Sequence, residues 1–359
     1  MKIILYHDTS IPEQSLDVFN AIFERFKSTL PKNAKIIFVT NHSSSWSTIS
    51  DNRSDFVTIK SKNNFVIKLI LLLYLVKIFI TSNKEKIILI NIMNVYSFWF
   101  WAFLAKCFGH RAICRVTGMK PFGTSPFKDY LREVLIYLSF HASDKIMPVS
   151  ISLVPPKLKS KFQFKVFAIP QGIDVKKFGD NENYYFKNKK YIFVGRLVEN
   201  KGILKLIEVF QDNDYACRSL TVVGDGPLKE FLSEATKNDD NINLLGSVEH
   251  ARVCDELKSC NALILPSEHE GTPNVVLEAI VSKVLVISTP VGEINELLTD
   301  GRGILMQSNS CIDISDAISR SECLQNRDSV LRLARHHVVN NYSYSVIQKK
   351  YDFILEALI

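Results

Sequence analysis

The chain has 359 residues, 47% hydrophobic and 23% charged, a balance that excludes disordered and collagen-like classes and exceeds what one core usually holds, so two domains are expected. Its net charge of +7 hides an asymmetry: residues 1–178 carry 25 Lys and Arg against 11 Asp and Glu, whereas 179–359 carry 19 against 26. The first half is therefore expected to meet an anionic surface, either acidic lipid or a phosphorylated substrate. With no recognition motif beside the charge, nucleic acid is set aside as a partner.

The chain opens MKIILYHD, where Asp8 cuts the apolar run too short for a signal-peptide core, so secretion is not expected. Strand-like runs KIILY, KIIFVT, FVTI, KIILINI, AICRVT, DKIMPVS and KVFAIP then alternate with helical stretches, which suggests a Rossmann-like lobe over 1–178. Two stretches, 65–80 and 95–108, are strongly apolar. Each is shorter than the roughly 20 residues of a spanning helix, and each occupies the place of a crossover helix, although aromatics and nearby lysines suit one face to a bilayer. The seven cysteines are scattered without a C-x-x-C pair and read as reduced, mostly buried thiols. Residues near 173–190 are polar and poorly periodic, as a linker would be.

From Tyr191 onward the alternation is cleaner: YIFVG, LTVVG, INLLG, NALILP and VLVIST are each followed by a helical pattern, giving a second doubly wound parallel sheet over 179–341. Ligands of such sheets sit beyond the carboxyl ends of the strands, so loops Arg196–Lys201, Asp225–Gly226, Ser247–His250, Ser267–Thr272 and Pro290–Gly292 are expected to line one crevice.

Within these loops three constellations carry chemistry. In LILPSEHEGTPNVVLEAIVSK, Thr272 and Pro273 read as the N-cap and first turn of a helix whose free amides, from Gly271 to Asn274, suit an anion. Glu278 is the one charge in the apolar run that follows. It needs a partner, either a ribose diol or a backbone N–H or Arg. Glu270 precedes Gly271, where backbone and carboxylate can both approach a sugar. YIFVGRLVENKG carries Gly195, Arg196 and Lys201, two cations able to clamp a diphosphate. VVGDGPL places Gly224, Asp225 and Gly226 in a tight turn that admits a ligand to the backbone or serves structure alone.

The order IPQGIDVKKF, FVGRLVENKG, VVGDGPL, LLGSV, ILPSEHEGTPNVVLEA, STPVGEINEL and YSYSVIQKKYDFILEAL resembles the retaining glycosyltransferases of family 4, the glycosyl transferases group 1, with Glu270 and Glu278 at the spacing of that family's paired glutamates. The resemblance is strong over about 170–359 and lies only in layout before that. It implies the α/β fold called GT-B, two Rossmann-like lobes facing a central cleft, with acceptor bound by 1–178, donor by 179–341, and a final helix near 342–359 packed back onto the first lobe.

The resemblance further implies that Arg196 and Lys201 hold the donor diphosphate, that Glu270 meets the transferred sugar and that Glu278 binds the ribose. The amides around Gly271, Thr272 and Pro273 would face the phosphate, and the loop at Gly246 would border the base. The expected activity is metal-independent retaining transfer from a nucleotide sugar, UDP-linked, to a glycan or lipid-linked acceptor in surface polysaccharide synthesis, without a cofactor. From its basic first half and the apolar stretches 65–80 and 95–108, the enzyme is expected to be cytoplasmic, peripheral on an anionic membrane. Two alternatives are a nucleotide-sugar epimerase of the same fold and a catalytically silent binding subunit. The first lobe departs from the family pattern at YHDTSIPEQSLD and at Thr117-Gly118, where paired glycines and a His-Gly or His-Asp are usual. His7, His42, His110 and His141 read as structural or solvated.

Overall fold

Runs of Ile, Val and Leu bounded by turn residues form two six-stranded sheets in a computed structural model that describes residues 2–10, 24–41, 54–58, 64–82, 86–91, 95–117, 125–178, 189–215, 217–271 and 273–358. The first sheet holds β1 (Lys2–Ser10), β2 (Lys35–Asn41), β3 (Ser54–Thr58), β4 (Ile87–Asn91), β5 (Arg111–Val116) and β6 (Lys145–Pro148). The second holds β7 (Lys190–Val194), β8 (Ser219–Val223), β9 (Ile242–Gly246), β10 (Ala262–Leu265), β11 (Leu285–Ser288) and β12 (Ile304–Leu305). Every pairing is parallel. Side chains of β4, β10 and β11 are buried on both faces, which is why those strands read as unbroken apolar runs.

The strand orders are β3-β2-β1-β4-β5-β6 and β12-β11-β10-β7-β8-β9. Each sheet thus reverses its winding once, between β1 and β4 and between β7 and β10, and the crevice for a ligand opens at such a reversal.

The chain divides into two compact units, Met1–Gly172 with Tyr344–Ile359, and Ile173–Ser343. The boundary lies at Gly172/Ile173 and not at 178/179, because Ile173 and Phe178 are buried in the second unit's core and the Ile173 N–H donates to the Tyr342 carbonyl at 2.8 Å. Residues 173–178 are therefore anchored to the second unit by Ile173 and Phe178 and are not linker, while 179–188 lie outside the described residues. The closing helix Tyr344–Glu356 buries Ile347, Tyr351, Ile354 and Leu355 with Ile3 and Leu5 in the first unit.

Two strand expectations need correction. KVFAIP makes only a single bridge, Val166 to Ile146. The Phe167 and Ile169 N–H groups donate to the Ile146 and Pro148 carbonyls, but Pro148 has no N–H to return, so no ladder follows. Conversely, the two-residue edge strand β12 is too short to show any periodicity. Of the cysteines, all free, only Cys114 and Cys260 are buried.

The stretches 65–80 and 95–108 form helices Asn64–Thr81 and Phe98–Cys107. Leu71, Leu75, Phe98 and Trp101 pack them on the first sheet. Among the described residues no helix is long and apolar enough to cross a membrane.

Candidate functional site

The winding reversal of the second sheet brings together the loops after β7 and β10, the two richest in charged residues. The Gly195 N–H donates to the Val223 carbonyl at 3.0 Å, and Leu197 N–H to the Asp225 carbonyl at 2.9 Å, so the β7 loop is laced to the β8 turn. In that turn Gly224 donates to the Gly246 carbonyl at 2.9 Å, linking β9 in the same way. Gly202, with φ of +68°, lies so close to the β10 loop that a Cβ there would sit 2.2 Å from the Pro266 carbonyl oxygen. Only glycine fits both the left-handed backbone and this contact. The Glu268 N–H closes the same junction by donating to Asn200 O at 2.9 Å.

This lacing sets the first ionic contact. Lys201 Nζ lies 2.5 Å from Glu270 Oε1, with the two side chains 22% and 12% exposed. The buried Ser267 hydroxyl donates to the same oxygen at 2.9 Å, and Thr289 Oγ1 donates in turn to the Ser267 carbonyl. Glu270 is thus aimed by two donors from different loops. Lys201 carries three N–H groups, so the pair leaves it further donors for an anion. Arg196 is exposed at the mouth of the same loop.

Beside the pair, the helix Asn274–Val281 begins with Pro273 at its N-cap, φ −70° and ψ 124°. The helix therefore starts one residue later than the expected Thr272 cap with Pro273 in its first turn, and Thr272 lies outside the described residues. The Gly271 carbonyl accepts from Glu293 N–H at 3.1 Å, which pins the preceding loop. First-turn amides of this helix and its dipole favour negative charge.

Glu278 is buried on that helix, 8% exposed, and its partner is neither backbone nor Arg. His250 Nε2 lies 2.9 Å from Glu278 Oε1. Contacts with the Cys254 sulphur, 4.0 Å from Nδ1, and with Glu278 push the His250 pKa up to about 10. The imidazolium so formed neutralises the buried carboxylate. His250 opens the helix His250–Ser259; sequence reasoning placed it in the crevice loops but gave it no role, and gave none to Ser267. In the remaining turn Asp225 is exposed, and its carboxylate is held below the usual range by Lys229, at 3.1 Å, and by the Gly226 N–H.

The structure thus joins Gly195, Lys201, Gly224, Gly246 and Glu270 through shared hydrogen bonds and close backbone contacts, and sets Glu278 within the helix that follows Gly271, Pro273 and Asn274. His7 is without described side-chain placement, and His42 and Gly118 lie outside the described residues. His110 is buried and structural, accepting the Ile87 N–H on Nδ1 at 3.4 Å.

Similarity to known proteins centres on this unit. The family described as Glycosyl transferases group 1 matches residues 176–335. The chain is 33% identical over 172 residues to the putative teichuronic acid biosynthesis glycosyltransferase TuaC of Bacillus subtilis, covering 44% of this chain and 42% of that protein. It is 28% identical over 171 residues to the capsular polysaccharide biosynthesis glycosyltransferase CapH of Staphylococcus aureus, covering 45% and 44%. The match spans less than half the length of either relative. Over 99% of its own length and 100% of the other, the chain superposes with a TM-score of 0.74 and 14% identity on Anabaena Alr3699/HepE, solved in complex with UDP. That likeness shows the fold, two α/β units of the GT-B class.

Proposed function

We propose that the chain, whose residues 176–335 match the family described as Glycosyl transferases group 1, is a retaining glycosyltransferase moving a sugar from uridine diphosphate to a glycan or lipid-linked acceptor in surface polysaccharide synthesis. The observation that carries this reading is the Lys201–Glu270 pair, 2.5 Å apart at the winding reversal of the second sheet and beside a helix N-terminus. A cation, a carboxylate able to meet sugar hydroxyls and a helix N-terminus are what a sugar diphosphate requires there. The relatives' roles in teichuronic acid and capsule synthesis support the product class, and the UDP of the Anabaena protein supports the carrier.

In this reading the acceptor oxygen bonds to the anomeric carbon on the face from which the diphosphate departs. The electron pair of the broken C–O bond goes to the β-phosphate, and the acceptor proton follows it. Arg196, Lys201 and the backbone N–H groups of Gly271 and Asn274 stabilise the growing charge, Glu270 holds the sugar hydroxyls, and Glu278 holds the ribose. Gly195, Gly224 and Gly246 let the backbone approach the nucleotide. Charge on the leaving group is met by the protein's own cations, so transfer is proposed to need no divalent ion.

A thermal-shift panel of uridine, guanosine and adenosine diphosphate sugars tests the carrier, since a ligand at a hundred times its Kd adds about 2.7 kcal/mol of apparent stability. Stabilisation by another base alone would overturn the uridine assignment. Transfer in excess chelator should match that in its absence, and loss restored by magnesium would overturn the metal-independent account. Glu270→Gln should act on turnover of the intact sugar nucleotide and Glu278→Gln on affinity for the nucleotide.

A further inference from the structure

The first unit carries a surface that sugar transfer by the second does not explain. Helices Asn64–Thr81, Phe98–Cys107 and Pro126–Ala142 share one core through Leu71, Leu75, Phe98, Trp101, Ile136 and Phe140. Their alignment is fixed by polar ties. The Ser139 hydroxyl accepts Trp99 N–H at 2.9 Å and donates to Val95 O at 2.6 Å, joining the second and third helices. The Phe79 carbonyl meets His110 Nε2 at 3.3 Å, joining the first helix to the turn after the second.

The outward sides of these helices are apolar where a surface helix ordinarily carries charge. On the first, Phe65 is 74% exposed, Leu73 64% and Ile80 58%. On the second Phe103 is 61% exposed, with Trp99 and Phe100 beside it, and on the third Phe127 is 75% and Tyr130 67% exposed. The charged residues of the first two helices are Lys68, Lys77 and Lys106, with no acid among them. Lys106 reaches Asp144, beyond the helices, at 3.7 Å. The third helix adds Lys128 and Arg132 against Asp129 and Glu133, and Arg132 pairs with Asp129 at 3.1 Å.

We infer that this three-helix face docks on the surface of an anionic phospholipid bilayer. Exposed aromatics and leucines enter the headgroup and acyl boundary, and lysines beside them extend to lipid phosphates. A spanning arrangement does not fit, since 18 residues of helix cover about 27 Å and the inner side is committed to the sheet. A second copy fits poorly as occupant. Self-pairing about a two-fold axis sets the same patch against itself, and across the first two helices that brings lysines to lysines with no acid to meet them.

The test is cosedimentation of the full chain with vesicles of equimolar phosphatidylglycerol and phosphatidylcholine, beside vesicles of phosphatidylcholine alone. Binding to the anionic vesicles is expected, falling about tenfold or more on raising the salt as charge is screened. Brominated acyl chains should quench a component of tryptophan emission that Trp99→Phe removes, a readout independent of the next variants. With folding checked by circular dichroism, Phe103→Ser with Phe127→Ser, and separately Lys68→Gln with Lys77→Gln and Lys106→Gln, should each weaken binding about tenfold. A chain left in the supernatant, retention through high salt and alkaline carbonate, or binding untouched by both variant sets would overturn the inference. So would a dimer in sedimentation velocity that the aromatic substitutions dissociate.

Discussion

Laid strand on strand, the two sheets reverse winding at the same place, between the first and fourth strand of each unit, yet the described side chains beyond them differ in kind. At the second sheet's reversal Lys201, Ser267 and Glu270 form a hydrogen-bonded ionic cluster. On the first sheet, Asn91 at the end of β4 is tied to the Arg115 backbone, donating Nδ2–H to the carbonyl at 2.9 Å and accepting the N–H on Oδ1 at 2.7 Å. The outer faces differ in the opposite sense. The described large exposed hydrophobics of the second unit are Phe231, Ile312 and Leu333, whereas those of the first cover three helices. One topology therefore carries a polar cluster beyond the central strands in one unit and an apolar surface on its helices in the other, and the difference lies in the local side chains.

The division breaks most sharply at the clamp. Arg196→Ala and Lys201→Ala should each slow transfer by about a hundredfold or more, roughly 2.7–4 kcal/mol in barrier, with a smaller effect on nucleotide affinity. Phe103→Ser, on the first unit's outer face, should leave turnover with a detergent-free soluble acceptor unchanged. Parent rates in both cation variants would remove the clamp from the mechanism, and a large loss in Phe103→Ser would erase the separation of roles.

A second effect compares two glycines of similar backbone. Gly202 has φ +68° and Gly109 +77°, but a Cβ at Gly109 meets nothing within 4 Å, whereas at Gly202 it strikes the Pro266 carbonyl. Gly109→Ala should cost about 1–2 kcal/mol for the left-handed conformation alone. Gly202→Ala should cost about 3 kcal/mol or more, because the β7 and β10 loops must separate. Denaturant midpoints measure both, and equal losses would show that the loops are not held at that junction.

The second sheet was legible because its strands are short apolar runs, β10 and β11 buried throughout, and most are closed by a glycine or proline, so each run of YIFVG or NALILP stands apart from its helix. Edges were less so. β12 offers two residues and no period, and KVFAIP reads as a strand while the deciding fact, the missing N–H of Pro148, belongs to its neighbour. The site was legible as loops and not as contacts: Lys201 and Glu270 are each visible in their motifs, but their meeting depends on Gly202 and Pro266 touching. The His250–Glu278 pair was missed because sequence reasoning offered the buried carboxylate a ribose diol, a backbone N–H or an Arg, and no histidine. The available signal was that His250 opens the helix after β9 in a loop already assigned to the crevice, close enough for an imidazole to reach the next helix.

The finest test sets one histidine of each unit against the other. Burial lowers the His110 pKa from its ordinary 6.5, opposed by its hydrogen bond to the Phe79 carbonyl, so the folded state holds it neutral. Its contribution to stability is present above the unfolded pKa and is lost as pH falls through the folded one. His250, raised to about 10, behaves oppositely: its contribution is complete below about 6.5 and is lost as pH rises through about 10. Because the His250 ring is 62% exposed, solvent screens the pair and the gain is small. Histidine ring proton resonances, assigned with His250→Gln and His110→Gln, should show His250 titrating in the alkaline range and His110 below 6.5. The stability gap between parent and His250→Gln should shrink from pH 6.5 to 10. A His250 resonance that titrates near 6.5, with a gap indifferent to pH, would mean that Glu278 is not held by an imidazolium, and its carboxylate would then need another partner to remain buried beside the proposed nucleotide site.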